Sequence, residues 1–176
     1  MMRLILVAAC AIVLIGCGQT RTTASGGGAP SFVKAFRKAD GSTMYFAGPM
    51  HYAGKNGAVR VDFTINQNAE NSDYVVCNFT FTSSQNSTFK PTALVLKSGS
   101  VESLPATEFE LFFAEKKKNT YTYRYSCLVQ KAAWVIWMGT DNHALVINGM
   151  QFEGGKKHKR HVGEVRDYIL FPLSQN

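Results

Sequence analysis

The sequence predicts an all-β fold, an antiparallel sandwich of roughly ten short strands spanning residues 31–176, and three observations carry that prediction. Apolar and polar residues alternate in segment after segment, as in Val59, Val61, Phe63 and Ile65 against Arg60, Asp62, Thr64 and Asn66. This is the period of a half-buried strand. Turn signals separate the segments, the strongest being Asn148-Gly149 between Ala144-Leu145-Val146-Ile147 and Met150-Gln151-Phe152, because a type I′ hairpin needs positive φ at both central positions. No long helical period intervenes and no fixed repeat is visible, which argues against a parallel α/β sheet, a propeller or a solenoid.

Taken in order, residues 31–38 fit either one short helix, with Ser31 as N-cap and Phe32, Val33 and Phe36 on one face, or the first arm of a hairpin turned at Asp40-Gly41. Strands follow near 44–47, 50–53, 59–66, 74–83, 93–96, 108–114 and 120–130, and then near 132–138, 144–147, 150–153 and 165–171. Gly54-Lys55-Asn56-Gly57 supplies a further hairpin turn.

The chain has 176 residues and is 45% hydrophobic, with 12 Phe and 7 Tyr. That is enough to build one domain with a real core and excludes disorder of the whole. Lys and Arg outnumber Asp and Glu by 19 to 12, so the surface prefers anionic partners.

The first residues have a separate character. Arg3 precedes an apolar run of twelve residues, Leu4 to Ile15. A membrane helix needs about 20 apolar residues, whereas the core of an export signal needs roughly 7 to 15. Leu14-Ile15-Gly16-Cys17 resembles the lipobox of bacterial lipoproteins. The resemblance covers the leader alone and implies that residues 1–16 are removed and that Cys17 is acylated and becomes the N-terminus. Val7-Ala8-Ala9-Cys10 is a weaker match, since cutting there leaves an apolar core of only six residues. Gly18 follows the cysteine; by the enterobacterial sorting rule a residue other than Asp there implies the outer membrane. Residues 17–30 (CGQTRTTASGGGAP) are small, polar and Gly-rich, the composition of a flexible lipid-anchored tether. Two acyl chains hold such an anchor stably where one binds only marginally. The expected setting is therefore a cell envelope, lipid-anchored at a membrane. Removing Arg3 with the leader leaves 18 cations against 12 acids, or +6.

Cleavage also sorts the cysteines, leaving Cys77 and Cys127 as an even pair in an oxidising compartment. A disulfide is the simplest expectation. Alternation puts Cys77 with Val75, Phe79 and Phe81, and Cys127 with Tyr121, Tyr123, Tyr125 and Val129. Neither lies in a CxxC motif, so redox catalysis is not indicated.

Four sets of residues are candidates for binding. Tyr121, Tyr123 and Tyr125 form either part of the core or a stacking platform for sugar rings. In the apolar run 132–138, a strand would aim Trp134 and Trp137 at opposite faces, so that either both faces are covered or one Trp is a surface site. Lys116-Lys117-Lys118 and the run Lys156, Lys157, His158, Lys159, Arg160 and His161 read as basic turns. They are either solvated loops or attractors of anionic lipid, lipopolysaccharide phosphate or an acidic protein. Nucleic acid is a poor partner for an exported domain, and no motif for it accompanies the cations. His158 and His161 have a metal-like spacing, but the adjacent cations would repel a metal, and none is expected.

Catalytic residues are not legible. Gly139-Thr140-Asp141-Asn142-His143 is the one place where Asp and His are neighbours, yet Gly, Asp and Asn are what a turn requires. Glu108 and Glu110 share a strand face. There is no Gly-x-Ser-x-Gly, no His-Glu-x-x-His and no Gly-rich phosphate loop. Asn78-Phe79-Thr80 and Asn86-Ser87-Thr88 match the eukaryotic glycosylation acceptor, which a bacterial leader reduces to chance. The expectation is a non-enzymatic envelope lipoprotein that binds a protein or glycan, without a cofactor, as an accessory subunit. The alternative is an envelope hydrolase using carboxylates or His143 in a loop-built cleft.

Overall fold

The computed structural model describes residues 32–67, 73–85 and 88–171; the leader, Cys17, the tether, Ser31 and the Asn86 acceptor lie outside the described residues. The strands are β1 (Val33–Arg37), β2 (Thr43–Gly54), β3 (Gly57–Gln67), β4 (Tyr74–Ser83), β5 (Leu94–Ser98), β6 (Val101–Glu102), β7 (Glu110–Lys117), β8 (Thr120–Gln130), β9 (His143–Ile147) and β10 (Met150–Gly154). Two helices, α1 (Lys131–Met138) and α2 (Lys156–Val165), complete the fold, α2 continuing into a π-helical turn at Arg166–Leu170.

The all-β antiparallel class stands. The ten strands form one sheet in the order β6-β5-β9-β10-β2-β3-β4-β8-β7, with β1 beside β2, and the sheet curls into a half-barrel. Its concave face and the helices laid on it take the place of two facing layers. Residues 31–38 resolve into the hairpin arm, since Val33–Arg37 pairs with β2 from Ala47 back to Thr43. The expected strands near 44–47 and 50–53 are one strand, β2, whose register slips between Ala47 and Met50. The first half of β2 pairs with β1 and its end with β10.

Three segments depart from expectation. The apolar run 132–138 is helix α1, in which Trp134, Trp137 and Met138 share the buried side while Val135 and Ile136 are exposed. On a helix, residues three apart share a face, so both indoles enter one core. The basic run 156–161, expected as a turn, is the first half of α2, and residues 165–171, expected as a strand, continue that helix. There Val162, Val165 and Ile169 are buried, a three-to-four-residue spacing that the surrounding Lys, Arg and His obscure.

The core is aromatic and lies within the curl. Val61, Phe63, Cys77, Phe79, Phe81 and Tyr125 line the strands, and α1 packs onto them. Phe63 sits 5.8 Å from both Trp134 and Trp137. The Trp137 indole N–H donates to the carbonyls of Lys97 and Ala144, both at 3.1 Å, tying α1 to β5 and β9. Arg166 links the two helices by donating to the Met138 carbonyl at 2.8 Å.

Turn chemistry behaves as read. Asn148 and Gly149 take φ of 52° and 76°. The Asn148 side chain adds a second role: its Oδ1 accepts from the Thr92 and Ala93 amides and its Nδ2 donates to the Lys90 carbonyl, pinning the loop before β5. On the convex face Asp62 is nearly buried and accepts from Arg124 and Asn78, each at 2.9 Å.

Gly57 is the tightest backbone approach. Its φ is +152°, and a Cβ there would stand 2.4 Å from the Thr82 carbonyl oxygen. Gly99, at φ +60°, faces open space. Gly57→Ala is expected to cost about 2–3 kcal/mol and Gly99→Ala about 1 kcal/mol. Thermal unfolding of the two variants checks this, and equal losses would contradict the close approach.

Candidate functional site

Two concave regions gather the residues that could carry function. The first lies where α2 meets β9 and β10. Tight geometry builds it: a Cβ on Gly154 would collide with the His158 ring, so glycine there lets the helix drop its third residue inward. The His158 ring then packs edge-on against Tyr52, with centroids 4.6 Å apart, and against His143, 4.3 Å apart. His158 Nε2 lies 2.7 Å from His143 Nδ1, a contact in which one ring donates and the other accepts, and 3.4 Å from the Tyr52 hydroxyl. Trp137 covers His143 at 4.8 Å. Each histidine is about 95% shielded from solvent.

Burial sets the protonation of this pair. It lowers His143 to about 4, with Arg166 adding repulsion, and lowers His158 to about 3, with His143 adding to the effect. Both rings are neutral at pH 7. Their hydrogen bonds run to each other and to Tyr52, and none reaches a carboxylate among the described residues. Asp141, beside His143 in the cleft of about 410 Å³, pairs instead with Arg166 at 2.8 Å. Glu153 on the opposite wall accepts from Gln151. Hydrolysis by a histidine needs a nucleophile within reach and a group that orients the ring. Among the described residues the Tyr52 hydroxyl is the side-chain oxygen bonded to this pair, and no carboxylate bonds either ring to orient it. Among the described residues no three His, Cys, Asp or Glu side chains are grouped to hold a metal. His161, the other half of the metal-like spacing, turns away and stacks on Phe32 at 4.0 Å.

The second region is an open groove of about 850 Å³ along the edge of the curl. Ala106 exchanges both backbone hydrogen bonds with Leu94 on β5, and the chain then crosses to β7 at the far end of the sheet. Phe109 enters the core beside Phe79 on the way. Because β7 begins pairing at Ser126, β8 has no strand neighbour on that side from Cys127 to Gln130 among the described residues. Beside this free edge stand Leu104, Tyr74 and Leu128, the last 56% exposed. All of β7 is exposed, including Leu111, Phe112 and Phe113. Glu108 and Glu110 line the same groove, and no lysine or arginine does.

No protein-family model, curated protein or solved structure matches this chain.

The sequence-derived candidates distribute unevenly over these regions. Trp134 and Trp137 are core residues and neither is a surface site, because the helix carries both inward. Tyr123 and Tyr125 are likewise buried, the Tyr125 hydroxyl donating to the Phe89 carbonyl at 2.8 Å. Tyr121 is half-buried under the Lys116 ammonium, 5.0 Å from its ring, so the three tyrosines do not form an open platform. Cys77 and Cys127 face each other across β4 and β8, both buried and both free thiols. Lys156, Lys157, Lys159 and Arg160 lie on α2, with Lys157, Lys159 and Arg160 exposed. Among the described residues no helix is long and apolar enough to cross a membrane.

The sequence reading missed the His143–His158 pair and the apolar character of β7. Fifteen residues separate the two histidines, and His158 was submerged among cations; only the Gly154-Gly155 step hinted at a close approach.

The neutral pair makes stability depend on pH. Both folded values lie below the ordinary value near 6.5, so the unfolded chain binds more protons throughout the interval. The stability contributed by the neutral rings is fully present above pH 6.5 and is lost as pH falls through about 4 and about 3. Urea denaturation between pH 6.5 and 5 should show a decline approaching 1.4 kcal/mol per pH unit for each ring. A His143→Gln, His158→Gln double variant should flatten it; an unchanged slope would refute the assignment.

Proposed function

We propose that the chain is a lipid-anchored protein of a bacterial envelope whose curled sheet serves a non-enzymatic binding role, taking an extended segment of a partner protein into the groove beside β8. The observation that carries this reading is the free edge at Cys127–Gln130, flanked by exposed apolar side chains and by Glu108 and Glu110. An unpaired edge offers main-chain donors and acceptors to an added strand, and side-chain pockets on either side supply selectivity. The two carboxylates sit in a chain that is otherwise basic. Charge complementarity therefore favours a partner segment that alternates apolar with cationic residues. The hydrolase alternative would have to use the cleft in which Asp141 pairs with Arg166, Glu153 accepts from Gln151 and neither histidine hydrogen-bonds a carboxylate among the described residues.

The lipobox at Leu14–Cys17 supports the anchor, and Cys77 and Cys127, free thiols directly opposed across β4 and β8, stand where an oxidising compartment would join them as a cross-strand disulfide. Intact mass spectrometry of the protein extracted from its membrane tests both. The expected species lacks residues 1–16, carries acyl chains lost in Cys17→Ala, and is lighter by two hydrogens.

A synthetic peptide alternating valine and lysine tests the groove by fluorescence anisotropy. Binding should weaken at least about tenfold in a Glu108→Lys, Glu110→Lys variant, and also when alternate peptide amides are N-methylated. Equal affinity for all forms would remove the strand-addition reading.

A further inference from the structure

The chain enters the folded domain against its basic helix. Phe32, the first described residue, stacks on His161 with ring centroids 4.0 Å apart and planes within 10°. Its carbonyl accepts the Gly48 amide at 2.7 Å, so the entry point is fixed to both α2 and β2. Lys157, Lys159 and Arg160 are exposed on α2, and Lys34, two residues after Phe32, is exposed at the start of β1. Of the acids nearby, Glu164 pairs with Arg160 at 3.5 Å, Glu153 is held by Gln151 and Asp167 lies beyond the end of α2, so Lys34, Lys157 and Lys159 carry the patch.

The charge on α2 is placed against its own helix. Its first turn carries no acid while Lys156, Lys157 and Lys159 occupy it, although the amino end of a helix is already positive. Burial of Val162, Val165 and Ile169 holds the helix in place despite this, leaving Lys157 and Lys159 exposed and without an ion pair among the described residues.

We infer that the face formed by α2 and β1 docks on anionic phospholipid headgroups at the membrane that holds the tether. Gly-rich chains of this length reach about 20 Å, and such a segment, residues 17–30, joins the proposed anchor to the domain. It emerges beside Phe32, so the face nearest the anchor is the basic one. Screening confines the attraction to roughly 10 Å at physiological salt, a distance the tether lets the domain reach. Lipid plus a basic patch is a two-part attachment of the kind that stabilises peripheral proteins. The β8 groove lies several strands away across the sheet, which keeps it clear of the bilayer.

This inference rests on the lipid anchor proposed above, and the test separates the two. The full acylated chain is bound to phosphatidylcholine vesicles with and without phosphatidylglycerol, and acetylation of individual lysines by an N-hydroxysuccinimide ester is followed by mass spectrometry. With phosphatidylglycerol at low salt, Lys34, Lys157 and Lys159 should react about fivefold more slowly, while Lys116–Lys118 at the far end of the sheet keep their rate. High salt should abolish the difference, and a Lys157→Glu, Arg160→Glu variant should lose it at Lys34. Equal rates on both vesicles, or equal protection of Lys116–Lys118, would overturn the docking face. A chain that fails to bind phosphatidylcholine vesicles would instead refute the anchor, and acetylation with phosphatidylglycerol vesicles in suspension would still decide the face.

Discussion

The packing of Trp134 and Trp137 against Phe63 is the contact on which the rest of the structure depends. A sheet of ten strands that curls without closing has a concave face too wide for its own side chains to fill, and voids in a core are costly. Helix α1 supplies the missing volume. Its indoles reach β3, and Trp137 hydrogen-bonds carbonyls at the ends of β5 and β9. The opposite wing of the sheet is thereby fixed relative to β3 and β4. The same placement brings Trp137 over His143, so the core and the histidine cleft share one residue.

What was legible in the sequence follows from how local each signal is. Strands β4 and β8 were read to the residue because strict alternation over ten or more positions has one interpretation. The hairpin at Asn148-Gly149 was legible because only a few residues tolerate positive φ. Segment 132–138 was not legible, since an unbroken apolar run of seven residues suits a buried strand and a buried helix equally. What decided it was tertiary: the concave face needs two large side chains on one side, and only a helix delivers residues 134 and 137 together. In α2 the cations hid Val162, Val165 and Ile169, so composition outweighed spacing.

The candidate sites were less legible for the same reason. Asp141 and His143 were noted as neighbours, but the partner of His143 proved to be His158, across a hairpin and a glycine step. Glu108 and Glu110 were noted as a strand pair, yet their setting depends on where β7 begins to pair with β8, and no local pattern reports that register. The cysteines are the exception. Alternation placed both on inner faces, and the ladder sets them opposite each other.

The two surface features divide the molecule by charge. The acidic, apolar groove sits where the curl fails to close, a place where main-chain groups remain available by construction. The basic face sits beside the point of chain entry, where Phe32 stacks on His161 of α2. Each follows from the topology: an open half-barrel must leave an edge, and the helix that covers its concave side must begin outside it. A domain so arranged has its attractive charge and its free edge on different parts of one rigid sheet. Engagement at one therefore need not distort the other, since the aromatic core lies between them.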